Sequence, residues 1–329
     1  MSSGMLTTHI GPRTLLGYER GTELIAVQPI ALLEGLVFPE SPRWHDSRLW
    51  FSDIHGHQVI AVDLDGKSEV IAILDKPSGL GFMPDGTPLV VSMDAQTISQ
   101  IVDGEVRLHA DLSEYPGEFL NDMVVDETGR AYVGKRSWRR SGLPPSHDIV
   151  ILVHPDGSSE IAAEDLRGPN GTVITPGGYT LIVAETQALR LTAFDRDRDG
   201  RLSGRRNFAS LGPEVFGDGR KAFPDGICLD DQGAVWVGTA ISGEYLRVSE
   251  GGHIGERFVP NASWATACAL GGPDRRTLFL ATCNASLQGL RAMNDAQIPD
   301  HNSYHAWART QSQGYIEVVK VDVPGAGIP

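Results

Sequence analysis

The chain has 329 residues, enough to bury a sizeable core, and length alone admits either one large all-β domain or two ordinary ones. Its 28 Lys and Arg against 42 Asp and Glu give a formal charge of -14, with the acidic residues scattered along the chain and not gathered in a tail. That balance supplies no basic footprint for phosphate, which argues against a nucleic-acid partner.

Residues 1–20 read as an N-terminal extension with no apolar core followed by a small-residue cleavage site. No later stretch approaches the roughly 18 apolar residues of a membrane span. A soluble, cytoplasmic protein with no membrane partner is the expectation, and residues 21–329 are expected to form one domain. After an apolar run from Glu23 to Leu33 comes a unit that recurs: a short motif with a polar residue near its start, an apolar run, a tight turn and a second run rich in aromatic or β-branched residues. The units open PESPRW at Pro39, PSGLGF at Pro77, LNDMVV at Leu120, PNGTVI at Pro169, PDGICL at Pro224 and ATACAL at Ala265, six in all.

Each unit turns at the same place, on His45-Asp46-Ser47-Arg48, Pro84-Asp85-Gly86, Asp126-Glu127-Thr128-Gly129, Pro176-Gly177-Gly178, Asp230-Asp231-Gln232-Gly233 and Pro273-Asp274-Arg275-Arg276. These residues supply the positive φ and side-chain-to-backbone bonds of a hairpin. Second strands follow directly (LWFSDI, PLVVSM, AYVGKR, TLIVAE, AVWVGT, LFLATC), and further alternating runs come later in most units. No window longer than a couple of turns keeps a 3.6-residue apolar period. The expected fold is an all-β, six-bladed β-propeller of four-stranded antiparallel blades. The Glu23–Leu33 run would close the ring beside Tyr315–Val323. Residues 137–148 and 293–314 break the repeat and read as loops over one face, a place for a lid.

The first strand of each propeller blade lines the central channel, so equivalent repeat positions converge on one axis. Those positions are Glu40, Ser78, Asn121, Asn170, Asp225 and Thr266, every one an oxygen donor. Such a set, with two negative charges, suits one hard divalent cation such as calcium, magnesium or manganese; zinc is less expected without His or Cys. Taken singly, Asn-Gly, Asp-Gly and Asn-Asp pairs are ordinary turn residues. Three at aligned positions, each just before an apolar strand, are not accounted for that way.

GLVFPESPRW, LNDMVVDETGR, PNGTVITPGGYTLIVAET and FPDGICLDDQGAVWVG, in that order and spacing, resemble the senescence marker protein, gluconolactonase and luciferin-regenerating enzyme family over about residues 34–285. The resemblance implies a metal held by Glu40, Asn170 and Asp225, with Asn121 beside it contacting water or substrate and Asp225 as the general base. The implied reaction is hydrolysis of a lactone or related ester. Two departures bear on the substrate. Where sugar-lactone hydrolases of the family often carry Arg two residues before the Asn of the N-D motif, this chain has Phe119, and the common A-G-T segment is replaced by Val133-Gly134-Lys135-Arg136. An apolar lactone or ester therefore gains weight over an aldonolactone. Lys135 and Arg136 are candidates for an anionic substrate, against the reading of both as solvated loop charges.

His55 and His57, in a loop that could reach the channel mouth, are candidates for substrate contact against the reading of both as surface-loop histidines, and Glu185 is a lesser candidate as a carboxylate behind the metal ligands. Asp195–Gly200 resembles the start of a calcium loop, but Arg206 stands where the closing Glu belongs, so it reads as a hairpin turn. Three cysteines, odd in number, indicate no disulfide framework. No G-x-S-x-G elbow supports a serine hydrolase. Two alternatives to a lactonase stay open: the same metal site acting on a phosphotriester or another pathway intermediate, and a non-catalytic, metal-stabilised binding propeller.

Overall fold

The alternation of apolar and polar residues between regularly spaced turns becomes a ring of six sheets in the structure, a computed structural model that describes residues 28–137 and 147–327. The described chain opens with β1 (Ile30–Leu36). Blade one is β2 (Pro39–His45), β3 (Arg48–Asp53), β4 (Gln58–Val62) and β5 (Ser68–Ile73). Blade two is β6 (Pro77–Phe82), β7 (Pro88–Ser92), β8 (Thr97–Val102) and β9 (Glu105–Asp111). Blade three is β10 (Phe119–Val125), β11 (Ala131–Arg136), β12 (Asp148–Val153) and β13 (Ser159–Leu166). Blade four is β14 (Pro169–Ile174), β15 (Thr180–Glu185), β16 (Arg190–Arg196) and β17 (Leu202–Ser210). Blade five is β18 (Ile227–Leu229), β19 (Val235–Gly238), β20 (Tyr245–Val248) and β21 (Ile254–Phe258). Blade six is β22 (Trp264–Gly271), β23 (Thr277–Cys283) and β24 (Gly314–Lys320), with β1 as its outer strand.

This is the expected six-bladed propeller. Its closure pairs Ile30 with Val318 and Leu36 with Gly314, so the ring is sealed by one sheet built from both ends of the described chain. The expected partner run began earlier, at Glu23; residues 1–27, including the N-terminal extension, lie outside the described residues. Among the described residues, no helix is long and apolar enough to cross a membrane.

Core residues fill the seams between neighbouring blades, because each sheet presents an apolar face to the next. Between blades three and four, buried Val124, Tyr132, Ile174, Leu181 and Phe194 interlock; each large side chain removed from water contributes roughly 1.5–3 kcal/mol. At the edge of that seam Arg196, its side chain 3% exposed, donates to the Tyr132 hydroxyl at 2.7 Å and the Gly178 carbonyl at 2.8 Å, and pairs with the buried Asp126 carboxylate. The Asp195–Gly200 segment carries the β16–β17 turn, as expected: the Asp197 side chain accepts from the Asp199 and Arg201 amides, at 2.9 and 2.8 Å.

The ring polar residues reach the axis through a backbone irregularity. In five blades the pairing between the inner strand and its neighbour shifts register at the same place: Glu40/Arg43, Pro77/Leu80, Leu120/Met123, Pro169/Thr172 and Ala265/Ala267. A bulge re-aims the side chains it carries. Close approach of adjacent inner strands explains the glycine after Asn170, since a Cβ on Gly171 would lie 2.5 Å from the Ile227 nitrogen and 2.6 Å from the Asp225 carbonyl oxygen.

The second expected loop is not irregular. Residues 293–314 lie mostly in two short helices, α1 (Leu287–Asp295) and α2 (His301–Gln311). Ser286 caps the first by accepting from the Gly289 amide at 2.8 Å, and Asp300 caps the second by accepting from the Ser303 amide at 2.9 Å. Each buries only two residues, Gly289 and Met293 in α1 and Tyr304 and Ala308 in α2. So sparse a stripe leaves little apolar period to read. The first expected loop falls largely outside the described residues, as 138–146; its last residue, Asp148, already belongs to β12.

Candidate active site

Glu40, Asn121, Asn170 and Asp225, from blades one, three, four and five, converge on one cavity of about 310 Å³ at the channel mouth. Glu40 follows Pro39 in β2 and receives the Ser41 amide at 3.1 Å; Ser41 sits at φ 49, which tips the E-S-P motif inward. Asn121 donates to the Pro169 carbonyl at 3.2 Å, binding blade three to blade four. Asn170 donates its amide to the Asp225 carboxylate, and the Thr186 hydroxyl lies 3.2 Å from the same nitrogen. That leaves the Asn170 amide oxygen free of this contact. Asp225 precedes its short strand and is fixed by its backbone: its amide donates to Gly238 at 2.8 Å and its carbonyl accepts from Gly171 at 3.2 Å.

Two of these groups are acids near each other, Glu40 buried and Asp225 half-buried. Burial first, then the charges of Asp225 and Asp122, hold the Glu40 carboxyl well above the usual carboxylate range. Burial pushes Asp225 up to about 7; Arg136 opposes the shift, Asp122 adds to it, and the Asn170 hydrogen bond opposes it again. Among the described residues neither carboxylate has an ion-pair partner. Two acids drawn this far out of water without an ion-pair partner are costly unless a cation or a proton neutralises them. Two carboxylate groups with amide oxygens form an all-oxygen donor set, which fits a hard divalent cation. Among the described residues no group of three or more His, Cys, Asp or Glu side chains forms a metal-binding set, so amide oxygens and water would complete the shell.

Asp122, beside Asn121, was not singled out in the sequence. Its carboxylate accepts from the Ser41 hydroxyl at 2.8 Å, the Arg43 guanidinium at 3.1 Å and the Met123 amide at 2.7 Å, and so joins blade three to blade one. In the sequence the signal for it is the N-D pair itself, a third acid beside the ring position Asn121. Ser78 and Thr266 complete the inner ring without lining the cavity, and Thr266 spends its hydroxyl on the Pro39 and Ala281 carbonyls.

The lesser candidates divide. His55 is not a surface-loop residue: it is 3% exposed, in the 3-10 turn Ile54–Gly56, and lines the cavity. Its Nδ1 lies 3.1 Å from the Tyr304 hydroxyl, which itself donates to the Met293 carbonyl at 2.7 Å. With the phenol proton committed to Met293, Nδ1 carries the ring proton and Nε2 is an acceptor. Burial pushes the His55 pKa down to about 3, with Lys76 and His57 adding, so the ring is neutral. His57 faces away, onto Asp75 at 3.0 Å and the rings of His301 and Tyr304.

Lys135 is corrected on both counts. It is neither a solvated loop charge nor a cavity residue: it lies in β11, fully buried, and its ammonium donates to the Leu112 carbonyl at 2.6 Å. Phe119 does not line the cavity either, but lies under the Arg136 guanidinium, which does. Glu185 is held within blade four and its entering connection, accepting from the Arg167 amide and the Arg190 side chain at 2.8 Å each and from the Thr192 hydroxyl. Cys228 is half-buried and Cys268 and Cys283 are buried, none of them bridged in the structure.

Over the oxygen donors the walls are apolar, with Phe38, Met93, Phe223 and Trp264 among them, and α1 contributes Leu287 and Leu290. The cavity thus combines a polar floor with a hydrophobic body, the usual make-up of a small-molecule site.

Comparison with known proteins fits this geometry. A pentonolactonase, XacC of Haloferax volcanii, is 26% identical over 266 residues, covering 79% of this chain and 87% of that protein. Among solved structures, a luciferin-regenerating enzyme superposes with a TM-score of 0.72 at 17% identity, over 91% of this chain and 97% of the other. A protein described as a calcium-binding regucalcin, from Agrobacterium tumefaciens, gives a TM-score of 0.68 at 21% identity over 92% and 98%. Residues 38–284 match the SMP-30/Gluconolactonase/LRE-like region. With that match spanning most of the propeller and all four converging side chains, the chain belongs to the SMP-30/gluconolactonase/LRE-like family.

Proposed function

We propose that this protein hydrolyses a lactone or related cyclic ester, using one divalent cation, calcium foremost, held by Glu40, Asn170 and Asp225. The observation that carries the reading is the pair of carboxylates without ion-pair partners, buried Glu40 and half-buried Asp225, at the floor of an apolar-walled cavity. A relative named a pentonolactonase and a structural neighbour described as calcium-binding support it.

A bound cation supplies a positive charge that polarises an ester carbonyl and favours the developing oxyanion by several kcal/mol. The chain's own residues do the rest. Asp225, lining the cavity beside the oxygen donors, accepts the proton of the attacking water. Water oxygen bonds to the carbonyl carbon, the bond to the ring oxygen breaks, and that oxygen takes a proton and leaves as the hydroxyl of a hydroxy acid. Asn121, tethered to Pro169, orients water or substrate, and the neutral Nε2 of His55 accepts from a substrate hydroxyl. The apolar walls exclude bulk water and strengthen each of these contacts.

The same proposal takes the protein to be cytoplasmic and its partner to be a small molecule. The test is a proton-release screen over sugar, aliphatic and aromatic lactones and phosphotriesters, with chelator and with the cation restored. Chelator-sensitive turnover of lactones is the expected result; turnover confined to phosphotriesters, or none, would overturn the reading.

A further inference from the structure

Arg136 ends β11 directly opposite Phe119 of β10 in the strand register, and its guanidinium lies over the Phe119 ring, 5.6 Å from the centroid. The ring lies against the guanidinium, and Arg136 lines the cavity. Among the described residues its Nε is buried with no hydrogen-bond partner. A buried donor left without an acceptor costs roughly 1–3 kcal/mol, so a native protein keeps one where something else supplies the acceptor.

The neighbouring acids do not fill that role. Asp225 and Asp148 act on Arg136 through their charge. The Asp148 carboxylate accepts from the Ser137 amide at 3.0 Å and the Gly168 amide at 2.8 Å, and Asp225 accepts from Asn170. Among the described lining residues Arg136 carries the cavity's cationic side chain, since His55 is neutral. The remaining walls are largely apolar.

We propose that Arg136 is the specificity residue of this site and that it selects a lactone bearing an anionic substituent, a carboxylate, sulfonate or phosphate, on an otherwise apolar body. The planar fork of Arg matches such anions two oxygens at a time. This rests on the hydrolase reading above, and the experiment keeps the two apart.

The probes are a phenyl-substituted γ-lactone carrying a carboxylate, its neutral carboxamide twin, and the corresponding pair of γ-lactams, which bind without being opened. Turnover is measured on the lactones and calorimetric binding on the lactams, with cation-loaded protein, for wild type, R136M and R136K. Wild type is expected to favour the carboxylate over the carboxamide by roughly ten- to a hundred-fold, in KM and in lactam Kd. In R136M that ratio falls toward one, and R136K, which keeps the charge and loses the fork, retains part of it. Sulfonate and phosphonate twins identify the preferred anion by the largest ratio. A wild-type ratio near one, a ratio that survives R136M, or failure of both lactams to bind overturns the inference. A lactam preference lost in R136M, with no lactone opened, upholds Arg136 and sinks hydrolysis; lactone turnover without preference does the reverse.

Discussion

The side-chain amide of Asn170 donates to the carboxylate of Asp225 across the seam between blades four and five, so one hydrogen bond fixes both the acid and the orientation of the amide oxygen beside it. Asp225 is held there by its backbone as well, through Gly238 and Gly171. Replacing it by Asn changes the chemistry with little change of shape. Asp225→Asn is expected to lower kcat on the turned-over lactone by about 10²–10⁴-fold while the far-ultraviolet circular dichroism stays as in wild type. Full turnover in the variant would remove Asp225 from the role of base.

The pH dependence follows from two opposed shifts. The folded, cation-free protein holds the Asp225 proton up to about 7, whereas the unfolded chain releases it near 3.8. The folded state therefore binds more protons across that window, and this contribution to stability is present below the lower value and lost as pH rises through the upper. Glu40 shifts in the same direction. His55 works the other way: its pKa falls from 6.5 to about 3, so its contribution is lost as pH drops below 6.5. Denaturant melts of cation-free wild type and Asp225→Asn, compared across the range, isolate the acid. Wild type is expected to lose stability relative to the variant as pH rises from about 4 to about 8. Cation binding, which competes with the proton, should tighten over the same range.

Away from the cavity, Arg196 locks blade three to blade four through Tyr132, Gly178 and Asp126. Arg196→Met leaves the Asp126 carboxylate buried with Arg130 as its remaining charged partner, at 2.9 Å. A loss of about 3–5 kcal/mol in unfolding free energy is expected, with kcat unchanged below the melting transition. A loss under about 1 kcal/mol would mean that the seam is held by its apolar contacts alone.

Tyr304 ties α2 to the rim of the cavity, donating to Met293 and lying against Nδ1 of His55. Tyr304→Phe removes both polar contacts and keeps the ring. The expected cost is about 1 kcal/mol of stability, together with a raised KM and little change in kcat, because what is lost is the positioning of a wall and not a reacting group. Parallel steady-state kinetics and thermal melts check it.

The ring and its six inward positions could be read from the sequence because two signals repeat together, a turn at a fixed place and a polar residue just ahead of an apolar strand. Those signals are local, and so is the hairpin geometry they specify. What the sequence did not disclose depends on contacts between distant elements. Lys135 and Arg136 are adjacent charges with the same sequence character, yet successive strand residues point to opposite faces, and one meets the Leu112 carbonyl while the other meets the cavity. His55 is polar and lies between strands, so it reads as surface until α2 is laid over it. The two helices were missed because their buried stripes are two residues each, although Ser286 and Asp300 stood as caps in plain view. Asp122 was legible as an acid but not as the link from blade three to blade one.

The central claim, that Glu40, Asn170 and Asp225 hold a divalent cation, is tested most directly by thermal melting of chelator-treated protein with calcium, magnesium, manganese or zinc restored one at a time. At a hundredfold excess over Kd a native-state ligand adds about 2.7 kcal/mol, so at least one cation should raise the melting temperature by roughly 3 °C or more. That shift should be much reduced in Glu40→Gln. Identical melting curves for wild type with and without every cation would contradict the account.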